Sequence, residues 1–133
     1  MYSITVRNNI LIAHSLPGEV FGPAQNMHGA TYIVDAEFFA EKVNKYNIIM
    51  DLGVVTDILS EVLKFYSYKN LDEVDEFKGI ITSTEFLAKD IYDRICSKLK
   101  NNYSNDYQLL HKLKITLTES NVAWASFEQE IEK

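Results

Sequence analysis

Cysteine, arginine and proline are all scarce in this sequence, and each scarcity removes a class of protein. One cysteine, Cys96, among 133 residues excludes an internal disulfide framework and suits a reducing compartment. Two arginines, Arg7 and Arg94, leave any highly charged phosphate ligand to lysines, hydroxyls or backbone N–H groups. Positive charge is short as a whole. The 13 Lys plus Arg stand against 19 Asp plus Glu, and a net charge of −6 has the wrong sign for general nucleic-acid binding. No uncharged apolar run approaches the roughly 20 residues that cross a bilayer, and no basic segment leads into an apolar run at the N-terminus. A soluble cytoplasmic protein with neither a nucleic-acid nor a membrane partner is expected.

What is present is the composition of an ordinary globular chain, 47% hydrophobic and 24% charged. Folding at this length hides roughly two thirds of the unfolded surface, enough for one core without a structural metal. Residues 1–133 therefore read as a single domain, and any metal would serve function. The two prolines, Pro17 and Pro23, fall in one loop, Leu16 to Met27, which also holds Gly18 and Gly22. It joins two segments with the alternation of strands, Tyr2–His14 and His28–Phe39. In the second, Ala30, Tyr32, Val34, Ala36 and Phe38 share a side with His28, whereas Asp35 and Glu37 take the other. In the first, Asn8-Asn9 predicts a bulge or tight turn.

From Asp51, a predicted N-cap, the period becomes helical, and Leu52, Val55, Ile58, Leu59, Val62 and Leu63 form one stripe. A polar connection, Tyr66 to Ile81, precedes Thr82-Ser83-Thr84-Glu85, which has the form of a capping box. The helix it opens buries Phe86, Leu87, Ile91, Ile95 and Leu99, with Cys96 a core or boundary residue. A hydrophilic loop, Asn101 to Gln108, leads to alternating Leu113, Ile115 and Leu117, and after a break at Glu119 to Asn121 come Val122, Trp124 and Ser126. The order is ββααββ. An α+β fold follows, an antiparallel four-stranded sheet with both helices on one face.

Five places on these elements belong together: Ala13-His14, His28-Gly29, Ile49-Met50-Asp51-Leu52, Ser83-Thr84-Glu85 and Thr118-Glu119. In that order, over nearly the whole length, the chain resembles the 6-pyruvoyl-tetrahydropterin synthase and 6-carboxy-tetrahydropterin synthase family. The resemblance implies the tunnelling fold, or T-fold, whose sheets join into a barrel in a homo-trimer or hexamer and whose pterin or purine ligands lie between subunits. A ring of copies would also remove the exposed edges of an open sheet.

The resemblance further implies a zinc held by three histidines, one ending the first strand and two in a His-Gly-His opening the second. Three neutral imidazoles leave a fourth tetrahedral position for substrate. His14 and His28 match two of these ligands, and the third place is Ala30. The family's cysteine, four residues before the His-Gly-His, corresponds to Ala24, and its Asp-His pair to Ser67-Tyr68. By contrast, the residues that hold the pterin ring match. Glu119 corresponds to the glutamate that pairs with the 2-amino and N3 groups, and Ser83, Thr84 and Glu85 to a segment that contacts the ring from a neighbouring subunit. His111 matches nothing in the metal motif and reads as a surface residue. The reading is thus of a pterin-binding synthase-like protein with an impaired catalytic set. Two others stay open: a metal-independent, dihydroneopterin-aldolase-like T-fold enzyme, and a non-catalytic structural or interaction protein with a relic pocket.

Overall fold

The N-terminal third of the chain is one long antiparallel pair. In a computed structural model, which describes residues 1–133, strands β1 (Tyr2–His14) and β2 (His28–Ala40) run against each other in unbroken register from Tyr2↔Ala40 to His14↔His28. The bulge expected at Asn8-Asn9 is not formed; these residues lie opposite Val34 and Ile33. Asn8 falls on the helix-covered side, but there it borders an open concavity with Ser60 and Lys64 and stays solvated, so nothing forces the strand to kink.

Helix α1 (Leu52–Leu63) follows, its first turn held by Asp51, whose carboxylate accepts from the Val54 N–H at 3.0 Å. Its buried stripe is Val55, Ile58, Leu59, Val62 and Leu63. Leu52 departs from the expected stripe: as the first helical residue it points outward and is 57% exposed. Replacing Asp51 by Ala should cost about 1 kcal/mol, the usual worth of an N-cap, read as a lower urea midpoint at unchanged slope.

The expected polar connection is more structured than its composition suggests. Tyr66, Leu71 and Phe77 are buried within it. Lys69–Asn70 forms a short strand, β3, parallel to Ile12-Ala13, so the sheet has five strands in the order β3-β1-β2-β4-β5 instead of four. Two turns of 3-10 helix, Leu71–Glu73 and Asp75–Phe77, complete the crossing. It is pinned to the next helix by the Tyr66 hydroxyl, which donates to Asp90, and by Arg94, which bridges Asp90 and Glu76.

Helix α2 (Thr84–Asn102) is capped by Ser83, whose hydroxyl accepts from the Phe86 N–H at 3.1 Å. The cap therefore sits one residue later than a box from Thr82 to Glu85 requires, and Glu85 is solvent-exposed. Cys96 is half-buried, and burial pushes its thiol up to about 11, which leaves it inert. The expected loop Asn101–Gln108 is instead the end of α2 and a short helix, α3 (Ser104–Leu109), anchored by buried Tyr107. Strands β4 (Lys112–Ser120) and β5 (Ala123–Glu130) close the sheet as a tight hairpin. Leu113, Ile115 and Leu117 face the core as expected. On β5 the inward residues are Ala125 and Phe127, opposite Leu117 and Ile115, whereas Trp124 pairs with Thr118 on the other face and is 65% exposed. α1 packs over β1 and α2 over β4 and β5, so both helices cover one face.

Candidate functional site

Strand parity and register gather the site at one end of the sheet. His14 is the last residue of β1, His28 the first of β2, and they are direct cross-strand partners on the helix-covered face. Their ring centroids lie 4.6 Å apart, edge to face. The β2–β4 ladder stops at Ile33↔Thr118, which leaves Tyr32 and Glu119 as the next facing residues. The register of the β4–β5 hairpin shifts between Thr118 and Ser120, so Glu119 is the extra residue of a bulge. Bulges re-aim a side chain at the rim of a sheet, and here the carboxylate reaches the start of α2.

That helix start connects both halves of the site. Thr82 is buried and its hydroxyl lies 3.1 Å from Nδ1 of His14. Ser83 is occupied with capping, and the Thr84 hydroxyl donates to Oε1 of Glu119. Since an ionised carboxylate only accepts, the Thr84 proton is committed to Glu119, and the Tyr32 hydroxyl, 3.4 Å away, donates to Thr84. Burial raises the phenol of Tyr32, which keeps its proton in place. Three successive hydroxyl residues thus do three different jobs.

Both histidines are held with one ring nitrogen engaged. Nδ1 of His28 is 2.9 Å from the carbonyl of Asn26, an acceptor only, so Nδ1 carries a proton and Nε2 is the nitrogen left for a ligand. His14 is 1% exposed, and burial first, then the neighbouring His28, holds its pKa below the usual imidazole value. It is a neutral ring. With His14, His28, Ala24, Ala30, Tyr32 and Glu119 on its walls, the site is an open concavity of about 400 Å³.

His14, His28 and Glu119 share this concavity, and Ala24 and Ala30 also line it. Thr84 touches Glu119 of its own chain, whereas Ser83 faces its own helix and Glu85 faces solvent. Tyr68 is elsewhere: it is 85% exposed, with a left-handed backbone (φ 62°) and its N–H on the Leu11 carbonyl. His111 is remote, beside Glu41 and Glu130. Nowhere do three or more His, Cys, Asp or Glu side chains converge in a metal-ligating group. The residues present therefore do not fit a three-histidine zinc. Sequence reasoning passed over Tyr32 and Thr82. The signal for the first was a lone polar tip among inward apolar positions, and for the second a third hydroxyl where capping uses one.

Comparison with known proteins places the chain in a family. The family described as 6-pyruvoyl tetrahydropterin synthase matches residues 3–130. A 6-pyruvoyl tetrahydrobiopterin synthase of Dictyostelium discoideum is 30% identical over 105 residues, 77% of this chain and 73% of that protein. The structure of Caenorhabditis elegans 6-pyruvoyl tetrahydropterin synthase superposes with a TM-score of 0.80 at 22% identity, over 96% of this chain and 95% of that one. The Plasmodium falciparum 6-pyruvoyl tetrahydropterin synthase gives 0.79 at 14% identity over 98% of each. The two superpositions carry the fold, and the match across 3–130 carries the relationship: this chain belongs to the 6-pyruvoyl tetrahydropterin synthase family.

Proposed function

We propose that the protein binds a pterin or a related fused heterocycle through Glu119, in a cleft completed by a second copy of the chain, and does not run the usual synthase reaction at an ordinary synthase rate. The observation that carries this reading is the bulged Glu119, held by Thr84 on one oxygen at the rim of a concavity it shares with His14 and His28. A carboxylate fixed in this way presents its remaining lone pairs to two adjacent N–H donors, such as the 2-amino and N3 groups of a pterin. Ala24 and Ser67-Tyr68, by contrast, offer no thiol, acid or imidazole where the family's proton-transferring groups would be. A phenol is a poor general base at neutral pH.

The test is calorimetric titration of the purified protein with neopterin. Saturable binding is expected, and no heat at millimolar ligand would remove the reading. In a parallel assay with dihydroneopterin triphosphate and zinc, neither the pyruvoyl nor the carboxy product should form near the rate of a known synthase run alongside. Assembly is checked independently by light scattering. A trimer or hexamer is expected at micromolar concentration, and a monomer would take away the shared cleft.

A further inference from the structure

We infer that the His14–His28 pair is a zinc centre short of one ligand, that Ala30 is where that ligand is missing, and that the protein as it stands takes up zinc only weakly. Most of what a zinc site needs is already built. The two rings meet edge to face at 4.6 Å across a fixed register. His28 has its outer nitrogen tied to the Asn26 carbonyl, and the outer nitrogen of His14 is beside the Thr82 hydroxyl. Such outer partners orient metal-binding imidazoles and leave Nε2 free to ligate.

The other oxygen groups nearby do not converge with the two histidines into a ligand set. Asp72, whose charge reaches His14, takes the N–H and hydroxyl of Ser15 on its carboxylate. Glu119 accepts a hydrogen bond from the Thr84 hydroxyl, and Tyr32 keeps its own proton. Ala30 is different. It lies two residues beyond His28 on the same face of β2, opposite Ile12 and diagonal to His14, and it forms part of the wall of the same concavity. Ala30 is only partly buried at the margin of the core and borders about 400 Å³ of open space. Two imidazoles alone hold zinc poorly, since its stable protein sites use three or four strong ligands.

The experiment is done without any pterin, so its outcome is separate from the proposal above. The parent, Ala30→His and Ala30→His/His14→Ala proteins are dialysed against a chelator and titrated with Zn²⁺ in competition with a chromophoric chelator, then with Co²⁺ while visible absorption is followed. Ala30→His should bind one equivalent of Zn²⁺ per chain at least about a hundredfold more tightly than the parent, a larger change than the roughly 10- to 100-fold that losing an outer-shell partner costs. Its Co²⁺ form should gain the intense visible bands of a tetrahedral site, and adding His14→Ala should abolish both. If Ala30→His fails to fold by circular dichroism, Ala30→Cys places a smaller thiolate ligand at the same point and is read the same way. Two results would overturn the inference: one equivalent of zinc surviving chelator dialysis in the parent and lost on His14→Ala, or a folded position-30 variant that binds no more tightly than the parent.

Discussion

Glu119→Gln should lower the affinity for neopterin tenfold or more while leaving the oligomer and the thermal midpoint nearly unchanged. The carboxylate would make two charge-assisted bonds to adjacent N–H donors. The amide keeps one acceptor and turns the other prong into a donor facing a donor, at a cost of about 1.5 to 3 kcal/mol. Stability is spared because the amide oxygen can still accept from Thr84, and because Glu119 is solvent-exposed rather than part of the core. Paired titrations of parent and variant decide the matter: equal affinities would mean that Glu119 is not the anchor.

Phe38→Ala should be the most damaging single substitution for the fold. Phe38 has no exposed surface and sits on β2, the central strand of five, between Ile4 of β1 and Leu113 of β4. Its neighbours are held by two ladders and cannot collapse into the space. The loss should be about 3–5 kcal/mol, transfer and cavity terms together. At about 3–4 °C per kcal/mol for a chain of this size, the thermal midpoint falls by roughly 10–20 °C, compared at one protein concentration. A fall of only a few degrees would mean that the sheet repacks around the gap.

The parts of this design that were legible in the sequence are those that obey parity or local chemistry. Alternation alone put His28, Ala30, Tyr32, Val34, Ala36 and Phe38 on one face, and Asp51 announced its helix because capping is a contact between near neighbours. What escaped has a different physical character. Two residues of β3 are too few to show a period, and their partners are more than fifty positions away. Helix α3 was hidden because its polar residues are all on the solvent side and only Tyr107 reports the core. The predicted Asn8-Asn9 bulge failed for the opposite reason: a local signal was overridden by an unbroken ladder with β2. The site was half legible. His14, His28 and Glu119 were marked by resemblance, but their links through Thr82, Thr84 and Tyr32 depend on where α2 docks, which no local pattern encodes.

The unbroken ladder between β1 and β2 also works as a gauge. Over 13 residues it contains no irregularity to absorb an error in count, and side chains alternate faces at every step. Removing one residue between Ser3 and Ile12 would therefore put the parts of β1 on either side of the gap out of step, and one of them would have to turn its inward residues to the other face. With the deletion near the free N-terminus the short upstream part turns over and His14 keeps its partner, whereas a deletion close to His14 turns over the end that carries it. Lengthening the loop after His14 does no such thing, because residues there are outside the count. The contact between the two histidine rings thus reports the register of the strand ends beside the loop, and any probe sensitive to it reads that end of the hairpin.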